Sequence, residues 1–264
     1  MTNNPYLPVA SRIMAIKAET EVEYTFTLES RMQPRHGQFV EVSKPGVGEA
    51  PISVSGVGDG FIELTIRAVG HLTREIIKAK VGESLYLRGP YGVSFPDELF
   101  ADEHLVIAAG GCAVAPVRTL IRSRMNNSDQ ASRTHLLFGF KSPEAVLFRE
   151  ELDQWKQSAP VIVTVDKESC SWDGRTGLIT AHVSDIVLPD PSRSFAVVVG
   201  PPVMMKFTAQ ELMKHGLLPE RIYVSFERRM ACGIGKCGHC KIDDSYVCVD
   251  GPVFRYDKAL RLFD

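Results

Sequence analysis

Up to about residue 95, hydrophobic and polar positions alternate with a period of two in short bursts. The clearest bursts are 13–16, 24–28, 38–42, 52–54, 61–66 and 84–87. Glycine, proline and charged turns separate them. Six short strands at this spacing predict a small antiparallel β-barrel. A helical stretch over 72–80 interrupts the series. Beyond residue 98 the pattern changes. Leu105-Val-Ile-Ala-Ala109 is a continuous apolar run, as a parallel strand buried on both faces requires. A glycine turn and a helix to about Met125 follow. Then come strand 135–140, helix 144–156, strand 161–165, helix 178–187, strand 195–199, helix 203–215 and strand 222–226. Strand and helix in alternation predict a doubly wound parallel sheet. The join falls at Ser94-Phe-Pro-Asp-Glu98. The expected division is a barrel over 1–97, an α/β domain over 98–229 and a distinct segment over 230–264.

That last segment holds the strongest chemical signal, Cys232-Gly-Ile-Gly-Lys-Cys237-Gly-His-Cys240 and then Cys248. C-x4-C-x2-C followed by a more distant cysteine is the plant-type spacing for a [2Fe–2S] cluster. Thiolate is a soft ligand that suits iron–sulfur clusters, zinc and Cu(I). Gly233, Gly235 and Gly238 permit positive φ and let backbone N–H groups approach the sulfurs. Structural zinc is the competing reading. It usually takes paired short knuckles, and Cys248 stands alone here. A disulfide framework is disfavoured by six cysteines in 264 residues and by the absence of a secretory pattern at the N-terminus. His239 lies between ligands, but a Rieske centre needs two histidines on one iron.

Two further turns sit where phosphate-binding turns sit. Ala109-Gly110-Gly111-Cys112-Ala113-Val114-Ala115-Pro116 follows the first parallel strand and opens a helix, without matching G-x-G-x-x-G. Val199-Gly200-Pro201-Pro202 repeats that placement after a later strand. Helix N-termini at strand C-terminal ends favour a pyrophosphate. Alternatively, each is a tight strand-to-helix turn without a ligand. In the barrel half, Ala50-Pro51-Ile52-Ser53 and Arg67-Ala-Val-Gly70-His-Leu-Thr73 stand out. Ser53 offers a hydroxyl, Arg67 a cation for a diphosphate, and Gly70 to Thr73 a turn into a helix. Taken singly, these read better as a strand serine, a solvated arginine and an N-cap threonine.

Composition narrows the class without changing this picture. Hydrophobic content of 44% and charged content of 23% are ordinary for globular domains. A net charge of −2 gives no electrostatic reason for nucleic-acid or anionic-membrane binding. No apolar run reaches the length of a membrane span. A cytoplasmic setting is expected, where thiols stay reduced.

The order barrel, dinucleotide-type domain and cysteine loop resembles the ferredoxin-reductase-like flavoproteins. The resemblance is to the electron-transfer branch containing sulfhydrogenase gamma subunits and dihydroorotate dehydrogenase electron-transfer subunits, and most closely to anaerobic sulfite reductase B subunits. It is carried by Gly37-Gln-Phe-Val-Glu-Val-Ser43, Gly48-Glu-Ala-Pro-Ile-Ser-Val-Ser55, Val198-Val-Gly-Pro-Pro202, Glu227-Arg-Arg-Met-Ala-Cys232, Tyr246-Val-Cys248 and Asp250-Gly-Pro252. The resemblance implies FAD in the barrel, with Pro51, Ile52 and Ser53 at the flavin ring. Arg67, Val69, Gly70 and Thr73 would surround the ribityl and diphosphate. It implies NADH at Gly110, Gly111, Gly200, Pro201 and Pro202, and a [2Fe–2S] cluster on Cys232, Cys237, Cys240 and Cys248.

Two positions depart from the superfamily pattern. Ala50 stands where an arginine is usual, and Ala113 where a glycine is usual. No acid–base residue is required, and none of the seven histidines is assigned one. The implied partners are a ferredoxin-like subunit and a sirohaem-containing catalytic subunit that reduces sulfite to sulfide, with contact near Lys236 and Lys241. The same cofactors fit a sulfhydrogenase gamma-type subunit or a free-standing NAD(P)H:ferredoxin reductase. A zinc-stapled binding module is the rival from another class. Asp166 disfavours a 2′-phosphate while Lys141 could pair with one, and the resemblance tips the choice to NADH. Cys112 and Cys170 have no assigned role.

Overall fold

The computed structural model describes residues 4–167 and 172–263. Cys170 lies outside the described residues. By compactness the chain forms two units, one of residues 1–94 with 227–252 and one of 95–226 with 253–264.

The first unit is the expected barrel. Its strands are β1 (Val9–Ala18), β2 (Glu23–Glu29), β3 (Phe39–Lys44), β4 (Gly48–Gly58), β5 (Phe61–Arg67) and β6 (Ser84–Tyr91). They close in the order β1-β2-β5-β4-β3-β6, every pair antiparallel. Alternation places one set of side chains inside. Ile13, Phe26, Leu28, Val40, Val42, Val54, Ile62, Leu64, Ile66, Leu85 and Leu87 form that core. The helix expected over 72–80 is shorter, His71–Ile76. The cysteine segment belongs to this unit by compactness. Inside it, β13 (Lys241–Ile242) and β14 (Ser245–Tyr246) pair as a hairpin turned at Asp243, whose φ is 48°.

The second unit is a seven-stranded sheet of β7 (His104–Gly110), β8 (Thr134–Phe140), β9 (Val161–Val165), β10 (Arg175–Thr176), β11 (Ser194–Val199), β12 (Ile222–Ser225) and β15 (Val253–Arg255). The order is β10-β9-β8-β7-β11-β12-β15. All pairs are parallel except β12 with β15. The antiparallel edge strand β15 had no clear alternation to announce it. Two expected helices differ. Over 144–156, Pro143–Ala145 makes only a 3-10 turn. Phe148 then takes a left-handed conformation (φ 53°), and the helix is Arg149–Trp155. Over 178–187 the chain forms a 3-10 segment, Ile179–Asp185. The helices Val114–Met125 and Pro202–Lys214 stand where expected.

Candidate functional site: two glycine turns and a cysteine loop

Strand register decides which barrel residues can meet a ligand. Val40 lies opposite Ile52 and Val42 opposite Ala50, and all four contribute to or pack on the barrel core. Their neighbours therefore take the outer face. Phe39 pairs with Ser53, and Glu41 pairs with Pro51. Pro51 and Ser53 thus point outward, while Ile52 packs its side chain against the core and offers mainly backbone. Arg67, at the end of β5, is half-exposed and pairs with Glu23 at 3.3 Å. Val69 is exposed. Thr73 Oγ1 accepts from the N–H groups of Gly70 (2.9 Å) and Val69 (3.1 Å). Those two amides are therefore already satisfied, and Thr73 works as a brace for the turn. The half-exposed Arg67 and the outward Pro51 and Ser53 suit a flavin dinucleotide laid along this face.

In the second unit the two glycine turns come together. β7 and β11 are adjacent, with Ala109 opposite Val199. The sheet runs from β7 to β8 on one side and to β11 on the other, so this is a topological switch point, where open α/β sheets bind ligands. A Cβ on Gly110 would lie 2.5 Å from Met204 Sδ, and one on Gly200 2.8 Å from the same sulfur and 3.4 Å from Gly110 N. Met204 thus takes the room that side chains would need. Gly111 is different. Its φ is +58°, and nothing lies within 4 Å of where its Cβ would be. The turn therefore presents backbone to open space, which suits a dinucleotide. Pro201 caps and Pro202 begins the helix Pro202–Lys214, and both are exposed. Ala113 is buried in the core cluster at 5% exposure, so its methyl group turns away from the open side of the turn. Cys112 packs partly against that core. Lys141 and Asp166, after β8 and β9, are both exposed.

The cysteine loop folds as its glycines require. Gly233, Gly235 and Gly238 have φ of 73°, 74° and 78°. Cys232 Sγ accepts from the N–H groups of Lys236 (3.3 Å), Cys237 (3.4 Å) and Ile234 (3.5 Å). Cys248 Sγ accepts from Gly235 N–H at 3.1 Å. The Cys237 thiol interacts with that of Cys232, and the Cys248 thiol with those of Cys240 and Cys232. Among the described residues, no three His, Cys, Asp or Glu side chains gather as for a single metal ion. Four thiols on one loop, two of them accepting from backbone N–H groups, are soft donors of the kind an iron–sulfur cluster takes.

The thiols differ in setting. Cys240 and Cys248 are buried, and Cys237 is exposed. The His239 N–H holds the Cys237 thiol below its ordinary range. Burial, with Cys240 alongside, pushes the Cys248 thiol up to about 12.

Three residues beside the loop had no role assigned from the sequence. Arg88 in β6 is buried and paired with Glu49 of β4. Its guanidinium also donates to the carbonyl oxygens of Ala231 and Cys232. Glu41 lies between Pro51 and Arg88 across the strands. It is fully buried, and neither carboxylate oxygen has a hydrogen-bond partner. Burial pushes it up to about 7; Arg88 opposes the shift, and Glu49 and Cys232 add to it. A cleft of about 870 Å³ on this unit is lined by Leu7, Arg31, Arg88, Pro90 and Tyr91, among others. It contains none of the predicted cofactor residues.

Known proteins match this arrangement. Residues 107–210 match the oxidoreductase NAD-binding domain, and residues 227–259 match the iron–sulfur cluster binding domain of dihydroorotate dehydrogenase B. The sulfhydrogenase 2 gamma subunit of Pyrococcus furiosus is 37% identical, with 97% of this chain and 98% of that protein covered. A probable dihydroorotate dehydrogenase B electron transfer subunit of Methanocaldococcus jannaschii is 31% identical over 95% of this chain and 91% of its own. Among solved structures, the NADH-dependent reduced ferredoxin-NADP oxidoreductase shares the fold at a TM-score of 0.76 and 22% identity, covering 100% of this chain and 94% of that one. A Neisseria gonorrhoeae ferredoxin NADP+ reductase gives 0.68 at 19% identity, over 82% and 97%. The chain belongs to the family of the sulfhydrogenase gamma and dihydroorotate dehydrogenase B electron-transfer subunits, with an oxidoreductase NAD-binding domain followed by an iron–sulfur cluster binding domain.

Proposed function

We propose that this chain takes a hydride from NADH onto FAD and passes electrons singly through a [2Fe–2S] cluster to partner subunits that reduce sulfite to sulfide. The observation that carries the reading is the loop of four cysteines, folded so that backbone N–H groups donate to the Cys232 and Cys248 sulfurs. When bound, the flavin and cluster together convert a two-electron donor into one-electron steps. The chain's own residues bind and orient. Pro51 and Ser53, with the Ile52 backbone, would face the flavin ring, and Arg67 would meet the diphosphate. Gly111 and the turn at Gly200–Pro202 would hold the dinucleotide, with the helix N-terminus at Pro202 facing the pyrophosphate. Cys232, Cys237, Cys240 and Cys248 would ligate iron. Exposed Cys237, beside Lys236 and His239, makes this the edge from which electrons leave for a ferredoxin-like subunit.

The test is a visible spectrum of anaerobically purified protein before and after NADH. Flavin and iron–sulfur absorption that NADH bleaches is the expected outcome. A featureless spectrum with one zinc per chain would show a stapled binding module instead. A second reading, a hydrogenase partner, is favoured by the 37% identity to a sulfhydrogenase gamma subunit. Affinity purification from the native cell separates the two. A sirohaem protein in the complex supports the sulfite reading, and a nickel–iron protein overturns it.

A further inference from the structure

The guanidinium of Arg88 is divided between two tasks. One edge meets Glu49, with Nε 2.9 Å from the carboxylate and Nη2 also in contact. The remaining reach of the fork goes to the cysteine loop, where Nη2 donates to Ala231 O at 2.7 Å and Nη1 donates to Cys232 O. The side chain is 5% exposed, so these are charge-assisted bonds shielded from water, the strong kind. The loop is shaped to reach it. A Cβ on Gly233 would lie 3.1 Å from the Tyr91 ring and 3.4 Å from Arg88 Nη1. Only a glycine at positive φ lets the chain pass that close. On the other side, Glu41 stands between Arg88 and Pro51 on one continuous face of three strands. A buried arginine needs one carboxylate partner. This one also grips the peptide of the first cysteine in the motif.

We propose that Arg88 is a positioning residue for the cysteine loop: it fixes the Cys232 peptide to strand β6 and raises the reduction potential of the iron–sulfur centre that the loop holds. The inference rests on the cluster reading of the four cysteines. Reduction adds one negative charge to the cluster, and a fixed buried cation beside its first ligand favours that added charge. Lysine cannot do the whole task. Its ammonium supplies charge but not a planar fork that holds a carboxylate and two carbonyls together.

The full chain, purified anaerobically, is compared with Arg88→Lys, Arg88→Gln and the double variant Arg88→Gln/Glu49→Gln. Three quantities are read: iron per chain, the cluster midpoint potential in a dye-mediated titration, and the rate of tryptic cleavage after exposed Lys236. Arg88→Gln should lower the potential and speed cleavage about tenfold, since loss of two charge-assisted bonds raises the open population by at least that factor. Arg88→Lys should restore the potential and leave cleavage fast. The double variant should cleave as fast as Arg88→Gln, which excludes an unpaired Glu49 as the cause. Should Arg88→Gln fail to fold, a wild-type cleavage rate in Arg88→Lys overturns the anchoring. Iron-replete variants with wild-type potential and cleavage would reduce Arg88 to a simple ion pair. A wild-type chain without iron would instead sink the cluster reading, while the cleavage rates would still decide the anchoring.

Discussion

At the residue scale, Glu41 has the most consequential environment. It is fully buried, has no hydrogen-bond donor, and titrates near 7 instead of 4.5. Below about pH 4.5 the proton is held in folded and unfolded chains alike. Between 4.5 and 7 the unfolded chain loses it and the folded chain keeps it, so stability falls as pH rises through that window. Above 7 the loss is complete, at about 3 kcal/mol at most. Glu41→Gln should flatten this slope. Urea midpoints from pH 5 to 8 would show it, and an unchanged wild-type slope in the variant would place the titration elsewhere. The sequence alone assigned no role to Glu41, Arg88 or Glu49. Their meeting depends on the register of β4, β3 and β6 and on a loop 144 positions further along the chain from Arg88. The cysteines were legible because their spacing is itself the chemistry.

At the element scale, the chain is most legible where pattern and packing agree. The continuous apolar run over 105–109 became β7, fully buried at Leu105, Val106, Ile107, Ala108 and Ala109. The six alternating bursts became the closed barrel. Periodicity misled over 144–156, where Pro143 and left-handed Phe148 break the helix. Phe148 is held there by burial and by the Arg118 guanidinium 4.3 Å from its ring centroid. Glu151, at the start of the helix that follows, pairs with Arg118 and Arg122, so a tertiary ion-pair network sets the helix start. The turn at Gly110 and Gly111 allows a sharper test. Gly111→Ala forces an L side chain into φ +58°, at a cost of about 1–2 kcal/mol. Because space is open beside it, the fold should survive. The Michaelis constant for NADH should rise about tenfold while flavin and cluster absorption stay as in wild type. An unchanged Michaelis constant would remove this turn from the dinucleotide site. Gly110→Ala should behave differently, because its methyl meets Met204 Sδ at 2.5 Å and that flexible side chain must move aside.

At the scale of the whole molecule, the question is where electrons leave. Among the described residues, no helix is long and apolar enough to cross a membrane. Three of the four thiols are covered to some degree, and only Cys237 is exposed. Lys236 sits beside it, its ammonium 5.6 Å from the Tyr6 ring centroid, and Lys241 lies 5.8 Å from the Tyr246 ring centroid. Both lysines are exposed. Under the proposed function, two cations beside the most exposed thiol would suit an acidic, ferredoxin-like partner. Complementary charge of this kind governs encounter rate more than affinity. Lys236→Glu and Lys241→Glu should each slow reduction of the partner about tenfold at low ionic strength, and added salt should narrow the gap. Reduction of a small uncharged dye by NADH uses the same flavin and should keep its wild-type rate. A parallel loss of both rates would mean that the substitutions damage the cysteine loop itself. A salt-independent loss would mean that the lysines make close contacts in the bound complex and do not steer its formation.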